Sequence, residues 1–208
     1  MIAVLICTRG LIFGDCVKSV SENLKKINHQ LIVVSGLPIP DAQNEAVRQA
    51  LKTPATHFLF VEEDMVIPPD TVYQMIDRDG DIVALNYPVD SGHGTIQRKG
   101  LEIIFCGIGC TLINRKVFKE MKEPWFDTSK SLRITNQRPF EYEVDDIPYK
   151  YGGLDIMFCH KARELGFVIH QVDGEAKHLR LVKGDDRKYN QGTQTIVSLP
   201  PISKHISY

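Results

Sequence analysis

Three observations predict a single α/β domain whose mostly parallel sheet is flanked by helices. Short apolar runs, Ile2 to Cys7, Leu31 to Val34, His57 to Val61 and Asp81 to Asn86, recur at spacings that leave room for a helix between them. These runs show little alternation of apolar and polar residues, as expected of strands covered on both faces. With 208 residues, 43% of them hydrophobic, the chain can bury one full core. The expected domain covers 1–183, and 184–208, polar and carrying Pro200-Pro201, is expected to pack as a tail on the domain or on a subunit.

Each element has its own signal. After the first strand, Asp15 to Ile27 places Val17, Val20, Leu24 and Ile27 on one helical face. Past the Gly36 to Pro40 turn, Asp41 can cap a helix whose Val47, Ala50 and Leu51 face inward, and this helix leads into the strand at His57. Pro69 suits the first turn of a helix carrying Val72, Met75 and Ile76. Leu101 to Ile113 reads as one long β segment, with Gly107 and Gly109 marking a bend or a close approach of backbone and ligand. A short helix is expected at Lys116 to Met121. Thr128 to Tyr151 has no sustained period and reads as a long loop, a candidate lid. Gly152-Gly153 opens a helix with Met157, Phe158, Ala162 and Leu165 inward and Gly166 at its end, before a last strand from Phe167 to Gln171.

A formal charge of −1 argues against a broad electrostatic footprint for nucleic acid. The five cysteines make an odd count with no regular framework, which fits a reducing, cytoplasmic setting. Cys106-x3-Cys110 lacks the second pair that a zinc site would need. The apolar N-terminus has no basic flank and is broken by Thr8-Arg9-Gly10, and no segment reaches transmembrane length.

The strand at His57 ends on Glu62-Glu63-Asp64 and restarts through Met65-Val66-Ile67-Pro68-Pro69. Acids at the carboxyl end of a buried parallel strand stand where open α/β sheets bind ligands. Gly152-Gly153-Leu154-Asp155 opens the late helix, and His178 follows the last strand. In this order and spacing, over residues 1 to 180, the chain resembles the GT-A (Rossmann-like) glycosyltransferases, especially the family 2-like branch, with Phe60-Val61-Glu62-Glu63-Asp64-Met65 in place of its Asp-x-Asp setting.

The resemblance implies an inverting, metal-dependent transfer of a sugar from a nucleoside diphosphate sugar to an acceptor hydroxyl. Asp64 and His178 would ligate the cation, with Glu62 reaching it through its longer arm or binding the ribose. The mixed donor set favours Mn²⁺ and allows Mg²⁺. Asp155 occupies the family's general-base position. Thr8, Arg9, Asn44, Glu62, Glu63, Gly153, Arg180 and Lys183 would hold the nucleotide sugar. UDP is the default donor nucleotide, and the acceptor is a saccharide or another hydroxyl compound. Besides Glu62 in place of the first Asp, three departures from the family stand out: Leu154 replaces an acid beside the base, Ser35-Gly36 stands where relatives read uracil with an aspartate, and Gln43 replaces an arginine before Asn44.

The rival functions are a nucleotidyltransferase, disfavoured by the short Thr8-Arg9-Gly10-Leu11 turn, and a non-catalytic nucleotide- or sugar-binding module, suggested by Leu154. Taken singly, each residue also has an ordinary role. Asp64 can belong to a helix cap, Asp155 can complement a helix dipole, and Arg9 and the Lys177 to Lys183 cluster can be solvated surface. Trp125 and Phe126 fit a small satellite core better than a sugar-stacking platform.

Overall fold

The computed structural model describes residues 1–89, 94–137, 140–146, 153–179 and 196–198. Its centre is a six-stranded sheet. β1 (Ile2–Thr8) lies between β3 (His29–Ser35) and β4 (His57–Val61) and is parallel to both. Beyond β4 come β9 (Cys110–Asn114), β6 (Ile82–Asn86) and β12 (Ile169–Glu175), and within this sheet β9 alone runs antiparallel to its neighbours. The fold is mixed α/β, with helices on both faces of a mostly parallel sheet.

Both faces of β1 are dry, which explains its unbroken apolar run. Ala3, Leu5 and Cys7 join one core with α2 (Ile39–Leu51), α4 (Arg115–Glu120) and α5 (Leu154–Glu164). Ile2, Val4 and Ile6 join the other, with α1 (Gly14–Leu24) and α3 (Thr71–Asp77). No helix among the described residues is long and apolar enough to cross a membrane.

Several local expectations are corrected. α2 begins two residues before Asp41, which therefore lies inside the first turn and does not cap it; Pro40 serves at the helix start, where a missing N–H costs nothing. α3 starts at Thr71, after Pro69, and Ile76 is exposed, as are Val17 of α1 and Leu165 at the end of α5. The segment 101–113 is two strands, β8 (Glu102–Phe105) and β9, because the chain turns through Cys106–Gly109; Leu101 is fully exposed at the hairpin joining β7 (Gln97–Lys99) to β8.

Thr128 to Tyr151 is likewise no long loop. It carries a hairpin of β10 (Ser131–Gln137) and β11 (Phe140–Asp145), with Arg133 opposite Glu143 and paired with both Glu143 and Asp145. Tyr142 ties the hairpin to α5, its hydroxyl 3.0 Å from His160 Nδ1. Two short ribbons complete the described elements. β5 (Met65–Val66) pairs with β13 (Lys177–His178), and β2 (Leu11–Phe13) pairs with β14 (Ile196–Ser198).

Trp125 and Phe126 belong to the main core. Phe126 stacks on Phe158 at 5.0 Å, and the Trp125 indole N–H donates to the carbonyls of Phe118 and Met121. Asn44 anchors this segment to α2. Its amide oxygen accepts from the Trp125 and Phe126 N–H groups, and its amide nitrogen donates to the Pro40 and Phe126 carbonyls.

Candidate active site

β4 delivers its acids through a tight turn. Glu62 N–H donates to the Gly109 carbonyl at 2.9 Å, extending the β4–β9 ladder by one bond, and Met65 N–H then donates back to the Glu62 carbonyl. The turn splits the three acids. Glu63 pairs with the exposed Arg9 at 3.3 Å, while Glu62 and Asp64 gather with His178. Burial raises the Glu63 carboxyl above its usual range, and the Asp64 charge adds to this.

The β5–β13 ribbon brings in the histidine. His178 sits opposite Met65, and Leu179 N–H donates to the Asp64 carbonyl at 2.8 Å, so the two strands carry Asp64 and His178 side by side. One ligand atom from each of Glu62, Asp64 and His178 lies within 4.8 Å of the others. His178 Nε2 is 3.2 Å from Asp64 Oδ2, and Nδ1 is 3.3 Å from the Pro88 carbonyl. A carbonyl only accepts, so Nδ1 carries a proton and Nε2 is the nitrogen available to a cation. The bond to Asp64 raises the His178 pKa. Two carboxylates and an oriented imidazole fit a divalent metal ion, and the Pro88 carbonyl supplies the outer contact that fixes the ring.

Asp155 lies in the first turn of α5, close enough for its charge to act on Glu62. Its Oδ2 accepts from the Ile108 N–H at 3.0 Å. Burial pushes this carboxyl up to about 6, against the lowering effect of that N–H. Glu62 is pushed further, to about 8, first by burial and then by the charges of Asp155 and Asp64. Two carboxyls with separated titrations, one within the metal-binding group and one on a backbone donor, suit distinct roles.

Gly109 is what allows this proximity. A Cβ there would lie 2.6 Å from Glu62 Oε2 and 2.8 Å from the Tyr87 hydroxyl, so any side chain would displace one of them. The Tyr87 hydroxyl accepts from the Gly109 N–H at 3.0 Å, and its ring meets His178 edge-on at 5.7 Å. Tyr87 thus braces both halves of the site. Neither Tyr87 nor Ile108 stands out in the sequence; the one visible signal is the Gly107-x-Gly109 spacing.

The remaining expected residues have diverse placements. Thr8 is buried and shapes the turn after β1, its hydroxyl donating to the Leu11 carbonyl and accepting from the Gly10 and Leu11 N–H groups. Arg9 is exposed beside the acids. Gly153 opens α5, its carbonyl accepting from Met157. Leu154 packs on the core, which accounts for an apolar residue at that position. Asn44 is buried, with its amide engaged by backbone as described above. Arg180 and Lys183 lie outside the described residues. A cleft of about 400 Å³ opens between α1 and β5, lined in part by Asp15, Glu22, Pro68 and Lys177, and it includes neither Asp64 nor Asp155.

No protein-family model matches the sequence, and no curated protein matches it. Among solved structures, the chain is similar to A197 from STIV, with a TM-score of 0.61 and 18% identity over 86% of this chain and 85% of that one. That likeness shows a shared fold. A weaker similarity, TM-score 0.49 and 11% identity over 84% of this chain and 89% of the other, links it to 4-diphosphocytidyl-2C-methyl-D-erythritol synthase from Anaerococcus prevotii.

Proposed function

We propose that the protein is a metal-dependent glycosyltransferase of the GT-A type that moves a sugar from a nucleoside diphosphate sugar to an acceptor hydroxyl with inversion. The observation that carries this reading is the gathering of Glu62, Asp64 and His178 within 4.8 Å at the end of β4, with Asp155 facing them on a backbone donor. A divalent cation, Mn²⁺ by the donor set and Mg²⁺ as its alternative, supplies charge neutralisation for the departing diphosphate. Asp64 and His178 Nε2 hold it, with Glu62 completing the set. Asp155, with a pKa of about 6, is ionised at neutral pH and takes the proton of the acceptor hydroxyl as that oxygen attacks the anomeric carbon. The exposed Arg9 stands ready to meet phosphate or base. UDP is the first donor nucleotide to test.

The Gly10 and Leu11 N–H groups both point to Thr8 Oγ1, which favours sugar transfer over nucleotidyl transfer, because a triphosphate cradle needs such groups free. Calorimetry with UDP, GDP, CDP and dTDP, each with and without Mn²⁺, on wild type and Asp64→Ala, tests the donor site. One nucleotide is expected to bind tightly only when both metal and Asp64 are present, and metal-independent or absent binding rejects the proposal. Turnover then separates the two chemistries: glycosyl transfer releases a nucleoside diphosphate, nucleotidyl transfer releases pyrophosphate, and binding without either product leaves a non-catalytic module.

A further inference from the structure

Behind Asp155, on the core side of α5, two cysteines face each other. Cys159 lies one turn beyond Asp155 on the helix, and Cys106 begins the connection that leads to Ile108 and Gly109. Their sulfurs are 3.7 Å apart and both residues are buried. The pair is also aligned by backbone contacts. The Cys106 N–H points at the Cys159 sulfur at 3.5 Å, and the Cys159 thiol points at the Cys106 carbonyl at 3.5 Å. Cys7, Cys16 and Cys110 are also buried free thiols, on β1, on α1 and at the first position of β9 just past this connection.

We propose that Cys106 and Cys159 form a disulfide when the chain folds under oxidising conditions, and that this bond clamps the Asp155 helix to the backbone segment that holds its carboxylate. A disulfide needs the sulfurs at about 2 Å, so they must close by roughly 1.7 Å, a movement within reach of side-chain rotation. In the step, the two thiols lose two protons and two electrons. Glutathione disulfide takes the electrons and is released as two molecules of glutathione, through a mixed disulfide that the second cysteine resolves. In the folded protein the neighbouring thiol and burial hold Cys106 in its protonated form, so exchange takes place while the chain is still open. Once closed, the bond spans from the β8 end to the middle of α5 and restrains a loop that contains the β10–β11 hairpin.

The test is refolding of the full chain with glutathione disulfide and glutathione, compared with refolding in reductant. Oxidised protein is expected to lose about 2 Da and to leave three thiols open to alkylation after denaturation, with a peptide map joining Cys106 to Cys159. Its Tm is expected to exceed that of the reduced protein by about 10 °C, a difference abolished by dithiothreitol. Five alkylatable thiols after oxidative refolding, or a bond joining any other pair, overturns the assignment. An unchanged Tm with the mapped bond present overturns the clamp. Because wild type carries the comparison, the result does not depend on a variant that fails to fold, and it is independent of any glycosyltransferase activity.

Discussion

Asn44 and Asp64 come from similar-looking sequence, each a small polar residue next to apolar segments, yet the structure treats them in opposite ways. Both ends of the Asn44 amide are occupied by backbone of the same molecule, two donors on its oxygen and two acceptors on its nitrogen. Asp64, Glu62 and His178 instead converge with their ligand atoms within 4.8 Å of one another, Asp64 bonded to His178 and His178 oriented by the Pro88 carbonyl. A polar side chain satisfied from within holds the fold. Acids gathered beside an imidazole at one point mark a site, because holding like charges close together costs stability that a bound cation can return.

The contrast yields four expectations, in order of falling effect. Replacing Asp155 with Asn keeps an acceptor for the Ile108 N–H but removes the base. Turnover should fall by about 10³-fold while the denaturation midpoint moves little, and the wild-type kcat/KM should rise with pH through about 6 as the carboxyl ionises. Asn44→Ala should do the reverse. Chemical denaturation should show a loss of about 3 kcal/mol, because backbone groups of Trp125 and Phe126 lose their partner inside the core. If Asn44→Ala unfolds normally and loses only nucleotide affinity, Asn44 belongs to the donor site after all.

The third expectation uses the sign of a titration. The folded state raises the Glu62 pKa from 4.5 to about 8, so it prefers the protonated form. That preference is complete below the ordinary carboxyl range and is lost as pH rises through about 8. In metal-free protein, the stability of Glu62→Gln relative to wild type should therefore improve by roughly 2 kcal/mol between pH 6 and pH 9, measured by denaturant titration at both pH values. Saturating Mn²⁺ should shrink the difference by stabilising ionised Glu62 in wild type. The smallest effect belongs to Arg9→Ala. Its exposed pair with Glu63 should contribute less than about 0.5 kcal/mol to stability, so any tenfold drop in nucleotide affinity reports a direct contact.

Much of the frame is legible in the order of residues. The runs at Ile2, His57 and Asp81 read as strands because a strand buried on both faces has little choice of residue type, and Glu62 and Asp64 stand out because three acids interrupt such a run. His178 is reached only through resemblance, since nothing near it in sequence distinguishes it from a surface histidine. The hairpin at 131–145 escapes a reading by period although Phe140, Tyr142 and Val144 alternate with acids, because Asn136 and Pro139 suggest a loop. Tyr87 and Ile108 carry no signal in sequence, and Gly109 carries only its spacing from Gly107. Their part depends on how closely β4, β9 and α5 approach one another, and Ile108 and Gly109 contribute through backbone atoms that every residue has.

The reversed direction of β9 bears on how the site tolerates mutation. Parallel strands all bring the same chain end to the rim, whereas β9 enters there by its amino end and presents the amides of Ile108 and Gly109 beside a crowd of acids. A carboxylate held by a lysine or arginine can be released by many single codon changes. One held by the Ile108 amide keeps its donor through every replacement at that position except proline, so drift in the side chain at 108 leaves the electrostatic anchor of Asp155 intact.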